Sequence, residues 1–174
     1  MKTKNNYLTL PNIITFSRLI ILPFIIYAFL KNNKITVFIL TLIAFISDGV
    51  DGFLARRMNL ESNTGKVLDH LIDKIFINTL LFFLVYKGHL PSLFFYIIII
   101  RDILILLGSF FLVSKDGTVY SSGILGKIAG FAFCITILSA IFQWNIITIP
   151  WMYIAIFFSI ASFIKYCIIF FKSI

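Results

Sequence analysis

Four aspartates lie within sequence that is otherwise apolar enough to cross a membrane: Asp48, Asp51, Asp69 and Asp73. An ionised carboxylate is costly inside a bilayer, so it persists where a cation or ligand pairs with it, and such residues mark functional sites. The chain around them therefore has to fold as a membrane protein that brings positive charge to these four side chains.

The composition is that of a membrane domain. Of the 174 residues, 60% are hydrophobic and 13% are charged, and the mean hydropathy is +1.04; a soluble domain would carry about 25% charged residues. Six apolar runs predict an all-α integral membrane protein, a six-transmembrane-helix bundle. The runs cover residues 13–30, 35–55, 67–86, 92–114, 123–142 and 148–170. We expect a single membrane domain over residues 1–174, in which residues 1–12 are a candidate interfacial segment.

The net charge of +8 comes from side chains that are too dispersed to form a nucleic-acid surface. Their distribution instead follows the excess of Lys and Arg that marks cytoplasmic loops. With the N-terminus inside, nine of them fall on the cytoplasmic side, against Lys31, Lys34 and Lys87 outside. We therefore predict a multi-pass protein of the cell's inner, cytoplasmic membrane with both termini cytoplasmic and the aspartate site on the cytoplasmic side.

The spacing of the aspartates indicates that they converge. Helix positions i, i+3, i+4 and i+7 share one face, as do i, i+4 and i+8. The second and third predicted helices carry such faces: Asp48, Asp51, Gly52 and Ala55 on one, and Gly65, Asp69 and Asp73 on the other. Consecutive antiparallel helices can bring these faces together, and four adjacent carboxylates require cations among them. An oxygen-only site suits Mg²⁺ or Mn²⁺, with a phosphate-bearing substrate completing the coordination.

The neighbours of the aspartates fit a phosphate ligand. Gly52 and Ala55 leave room for a ligand, and Arg56 offers a planar donor fork that matches phosphate oxygens. Metal ions and Arg around a phosphate are the usual equipment of phosphoryl transfer. The alternative is that the acids are structural and hold the bundle together by pairing with Arg18, Lys74 or Arg101. Four acids on two converging faces favour a metal and phosphate site over this structural alternative.

The same residues fill a known signature, D-x2-D-G-x2-A-R-x8-G-x3-D-x3-D, from Asp48 to Asp73. The chain thus resembles the CDP-alcohol phosphatidyltransferases, which are also called CDP-alcohol phosphotransferases, over its whole length. The resemblance implies an enzyme of phospholipid biosynthesis, a homodimer, that displaces CMP from CDP-diacylglycerol.

The resemblance also implies roles for the signature residues. Two divalent ions, Mg²⁺ or Mn²⁺, would be held by four metal ligands: Asp48, Asp51, Asp69 and Asp73. Asp73 would also act as the catalytic base on the acceptor hydroxyl. The CDP moiety would be accommodated by Gly52, Ala55, Arg56 and Gly65.

The acceptor is inferred from other residues. The segment 10–18 is similar to that of phosphatidylglycerophosphate synthases and related cardiolipin synthases, and in those subfamilies three cations would bind an acceptor phosphate: Arg18, Arg101 and Lys127. This favours glycerol 3-phosphate, a small dianion suited to a basic pocket. The alternative for each cation is a structural charge.

Several positions depart from the phosphatidylglycerophosphate synthases. Ser109 stands where a second Arg is common, Gly123 and Gly130 replace Ser and Thr, and His70 replaces Pro. The first two departures leave a cardiolipin synthase that uses phosphatidylglycerol as the other candidate. We interpret His70 as a residue that supports the metal ligands or packs against them, and not as a metal ligand itself. A rival from another class is an ion transporter or channel that uses the acidic cluster, which would not need Ala55, Arg56 or Gly65.

Overall fold

The described part of the chain is all helical. In the computed structural model, the backbone is described for residues 10–58, 63–116 and 123–173, and side chains for residues 17–47, 71–108 and 124–170. The helices are α1 (Leu10–Leu30), α2 (Lys34–Met58), α3 (Asn63–Tyr86), α4 (Ser92–Asp116), α5 (Gly123–Ile141) and α6 (Asn145–Ser173). Each corresponds to one of the six predicted runs, so the predicted all-α fold class is confirmed.

The ends of the helices differ from the predicted ends by a few residues. α1 begins at Leu10, so the last three residues of the candidate interfacial segment belong to this helix. Residues 1–9 lie outside the described part. α3 begins at Asn63, four residues before its predicted start, and α6 begins at Asn145, three residues early.

Two helices are long and apolar enough to cross a membrane within the described residues, over Ile124–Ile141 and Asn145–Phe170. Large apolar side chains also lie exposed along α6, among them Ile146, Tyr153 and Phe157. Apolar surface of this extent is typical of a protein that meets lipid or a partner. Six spans and the orientation of the termini remain predictions.

Three short turns share one geometry. The second residue after each helix has a positive φ: Asn32 after α1 (57°), Gly88 after α3 (73°) and Gln143 after α5 (60°). After α1, the N–H of Asn33 donates to the carbonyl of Ala28 at 3.0 Å, which satisfies a helix-end acceptor. Equivalent bonds close the other two turns. Each of these bonds therefore closes the C-terminal end of its helix.

The chain forms two compact units, Met1–Phe76 and Ile77–Ile174. In the first unit α1 packs against α2. Its buried side chains include Ile25, Ala28, Val37 and Ala44, and small residues such as these alanines allow helices to approach closely. The predicted single domain over residues 1–174 stays a prediction.

In the second unit α6 packs against both α4 and α5. The hydroxyl of Thr148 on α6 donates to that of Ser139 on α5 at 2.9 Å, and both side chains are buried. Gly108 on α4 lies against the ring of Tyr166 on α6, where an added Cβ would be 2.8 Å from the phenol oxygen. A side chain at this position would require the Tyr166 ring to shift.

Candidate active site

All eight signature positions lie on two helices. The α2 backbone continues through residues 48–56, and the α3 backbone runs from Asn63 through Gly65, Asp69 and Asp73. The helical backbone that the predicted faces require is therefore present. Asp73 is the signature residue whose side chain is described. The other seven side chains, and that of His70, lie outside the described residues.

Asp73 forms an ion pair with Arg18. The Nη1 atom of Arg18, on α1, binds the Oδ1 atom of Asp73, on α3. The Arg18 side chain is 3% exposed, whereas that of Asp73 is 27% exposed. A guanidinium buried this deeply requires a counter-charge, and the last aspartate of the signature provides it. The structure thus places Arg18 at the signature itself.

Arg101 belongs to a second polar cluster, in the other unit. Its Nη1 atom donates to Oδ1 of Asp102 at 2.7 Å, and both residues are on α4. The other carboxylate oxygen of Asp102 accepts a hydrogen bond from Nδ2 of Asn78, on α3, at 3.0 Å. Arg101 is 8% exposed and Asp102 is 2% exposed. The Arg101 charge is therefore buried and held by a neighbouring carboxylate.

Lys127, the third predicted acceptor-binding cation, lies exposed in the first turns of α5. Gly130, which stands where related enzymes have a larger polar residue, is open, and an added Cβ would meet no atom within 4 Å. The side chains of Ser109 and Gly123 lie outside the described residues. Arg18 is in the first unit, whereas Arg101 and Lys127 are in the second.

Sequence reasoning missed Asn78 entirely and assigned no role to Asp102. Neither belongs to the aspartate signature, and an isolated Asn in an apolar helix has no spacing to mark it. The signal that could have found them is the cost of a buried Arg: Arg101 in the middle of an apolar run requires a counter-charge, and Asp102 is the adjacent acid.

Among the side chains that the structure describes, no group of three or more His, Cys, Asp or Glu residues is close enough to hold a metal ion. Three of the four predicted metal ligands, Asp48, Asp51 and Asp69, lie outside that part of the chain. The predicted metal site is therefore untested.

The chain belongs to the CDP-alcohol phosphatidyltransferase family, since the sequence model of that family matches residues 8–161. The predicted family and enzyme class are confirmed. The matched region contains the complete aspartate signature together with Arg18, Arg101 and Lys127.

Individual relatives of this chain carry the names of two enzymes of the family. The chain is 34% identical over 134 residues to the CDP-diacylglycerol–glycerol-3-phosphate 3-phosphatidyltransferase of Aquifex aeolicus, covering 76% of this chain and 75% of that protein. It is 29% identical over 175 residues to the protein of the same name from Bacillus subtilis, covering 88% and 90%. It is also 33% identical over 104 residues to a probable cardiolipin synthase (CMP-forming) of Drosophila melanogaster, covering 59% and 32%.

Proposed function

We propose that this protein transfers the phosphatidyl group of CDP-diacylglycerol to glycerol 3-phosphate and releases CMP. The complete eight-residue signature on two consecutive helices carries the proposal. Two relatives covered over three quarters or more of their length are named for this reaction, which supports the choice of acceptor. The product would be phosphatidylglycerophosphate, an intermediate in phospholipid synthesis.

The metal ligands would be Asp48, Asp51, Asp69 and Asp73, with two Mg²⁺ or Mn²⁺ ions. The donor set fits, because carboxylate oxygens are the ligands that these hard cations prefer. Asp73 supports this, since its partly exposed carboxylate already binds a cationic group, the guanidinium of Arg18. When bound, the ions would neutralise charge on the two phosphates of CDP-diacylglycerol.

The protein's own groups would position the substrates and move one proton. Gly52, Ala55, Arg56 and Gly65 would accommodate the CDP moiety. Asp73 would accept the proton of the acceptor hydroxyl while the hydroxyl oxygen bonds to the phosphorus that carries diacylglycerol. The bond from that phosphorus to the CMP oxygen breaks, and CMP leaves with the electron pair. Arg18 would orient Asp73 for this transfer.

The acceptor's phosphate would be bound by Arg18, Arg101 and Lys127. The guanidinium groups provide several N–H donors in a fixed fork, so one group can bind a carboxylate and a phosphate together. Lys127 is exposed at the start of α5 and could meet a charged substrate from water. Replacement of Lys127 by Ala should raise the KM for glycerol 3-phosphate and leave that for CDP-diacylglycerol unchanged.

The protein would span the cytoplasmic membrane six times, with both termini and the active site on the cytoplasmic side. The Lys and Arg distribution supports this orientation. We also propose a homodimer, from the family resemblance. Cross-linking and light scattering in mild detergent should give a mass twice that of the 20.0 kDa chain plus bound detergent; a monomer would contradict the dimer.

A second candidate reaction is cardiolipin synthesis with phosphatidylglycerol as the acceptor. Two observations favour it: the similarity to the Drosophila protein, and Ser109 at a position where a second Arg is common in phosphatidylglycerophosphate synthases. Purified protein should be incubated with CDP-diacylglycerol, Mg²⁺ or Mn²⁺, and each acceptor in turn while CMP is measured. Metal-dependent CMP release with glycerol 3-phosphate is expected. No release with either acceptor, together with cation flux in liposomes, would favour the transporter alternative.

A further inference from the structure

The Arg101 side chain is held in an unusual way. Consecutive helical residues lie about 100° apart and do not normally face each other. Nevertheless Nη1 of Arg101 is 2.7 Å from Oδ1 of Asp102, the next residue. The long Arg side chain therefore has to bend around the helix to reach this carboxylate. Such a contact limits where the guanidinium plane can lie.

Asp102 is itself held by a residue from another helix. Its second oxygen accepts the hydrogen bond from Asn78 of α3 at 3.0 Å, and its side chain is 3% exposed. Each carboxylate oxygen thus has a separate donor, one from α3 and one from Arg101. The carboxylate cannot rotate without losing one of the two bonds, so Asn78 fixes Asp102 and Asp102 fixes Arg101.

The arrangement leaves Arg101 donors for another group. Its buried Nε has no hydrogen-bond acceptor among the residues that the structure describes. A buried donor left in this way destabilises the protein. A buried charge pair serving only stability would gain from satisfying every donor. A phosphate oxygen is a suitable acceptor, since guanidinium groups bind phosphate through two parallel N–H bonds.

We infer that Asp102, held by Asn78, is a positioning residue that orients the Arg101 guanidinium toward the phosphate of the acceptor. This inference rests on the proposed function, in which Arg101 binds that phosphate. Asp102 does not touch the substrate. It limits the rotamers of Arg101, so less conformational entropy is lost when the acceptor binds.

The test is a set of steady-state measurements on purified protein with glycerol 3-phosphate and CDP-diacylglycerol varied in turn. Asp102→Asn keeps the shape and loses the charge. We expect its KM for glycerol 3-phosphate to rise at least tenfold, with the KM for CDP-diacylglycerol within twofold of wild type. Asp102→Glu restores the charge and should recover most of the acceptor affinity. Asn78→Ala should give a smaller rise, since the bond between Asp102 and Arg101 remains.

Two controls separate positioning from a structural role. Thr148→Val removes a buried interhelical hydrogen bond in the same unit, far along the sequence from Arg101. It should lower thermal stability without changing either KM. The double variant Arg101→Ala/Asp102→Asn should have the same acceptor KM as Arg101→Ala, because Asp102 acts through Arg101.

The outcomes distinguish the two proposals. If wild type turns over glycerol 3-phosphate but Asp102→Asn changes only thermal stability, the proposed function stands and the positioning role is overturned. The positioning role would also be overturned if the acceptor KM of Arg101→Ala/Asp102→Asn rose by the product of the increases in the two single variants. If wild type releases no CMP with glycerol 3-phosphate, the proposed function fails, and Arg101 and Asp102 have no role toward that acceptor.

Discussion

The ion pair between Arg18 and Asp73 allows stability and catalysis to be separated by substitution. The two partners differ in burial, with the Arg18 side chain 3% exposed and that of Asp73 27% exposed. Asp73→Asn leaves a deeply buried guanidinium without this counter-charge, and breaking a buried pair in this way costs about 3–5 kcal/mol. Arg18→Gln leaves a carboxylate on a side chain that is only partly buried, so the expected cost falls to about 1–2 kcal/mol.

The difference is large enough to measure. For a protein of this size, 1 kcal/mol corresponds to about 2–4 °C in melting temperature. Asp73→Asn should therefore melt several degrees below Arg18→Gln when unfolding in mild detergent is followed by circular dichroism. The double variant Arg18→Gln/Asp73→Asn removes both charges of the pair together and should recover much of the stability lost by Asp73→Asn.

Catalysis should respond differently from stability. If Asp73 is the base, both variants that lack it should release CMP at less than about a hundredth of the wild-type rate, whatever their melting temperatures. Arg18→Lys keeps the charge but loses the planar fork and should have intermediate activity. Recovery of turnover along with stability in the double variant would refute the reasoning, because it would make the pair purely structural.

Two further predictions concern helix packing and the metal site. The Gly108→Ala variant should have a lower melting temperature than the Gly130→Ala variant. The added methyl group meets the Tyr166 ring at position 108 and open space at position 130. The two changes share the same gain in helix propensity, so the difference measures the cost of shifting the Tyr166 ring, about 1 kcal/mol; equal melting temperatures would contradict the packing. Three variants each neutralise one predicted metal ligand: Asp48→Asn, Asp51→Asn and Asp69→Asn. Each should abolish turnover and weaken Mn²⁺ binding measured by calorimetry. Near-normal activity in any two of them would reject a shared metal centre.

The helices were predictable because each is a long apolar run ended by polar residues. The turn at Gly88 follows an ordinary signal, since glycine adopts a positive φ at little cost. Asn32 is also a residue type that adopts a positive φ, whereas the same geometry at Gln143 could not be predicted, because Gln does not favour this conformation. The early start of α3 at Asn63 reflects polar residues that continue the helix although they do not continue the apolar pattern.

The candidate site was predictable where chemistry is encoded in spacing and unpredictable where it depends on tertiary contact. The aspartate signature sits at fixed intervals on two helices, so its residues could be assigned from sequence. The partner of Arg18 could not be assigned from sequence, because the signature alone offers four aspartates and the choice of Asp73 depends on how α1 packs. Asn78 is separated from Asp102 by 24 residues, and its hydrogen bond also depends on packing.

The most direct test of the central claim is the identity of the lipid product. Purified protein in detergent with CDP-diacylglycerol, Mn²⁺ and isotopically labelled glycerol 3-phosphate should transfer the label into chloroform-extractable lipid. Each molecule of labelled lipid should appear with one molecule of CMP, and mass spectrometry should identify phosphatidylglycerophosphate. The Asp48→Asn variant, or chelation of the metal, should abolish incorporation. Label that stays in the aqueous phase while phosphatidylglycerol is converted to cardiolipin under the same conditions would contradict the claim.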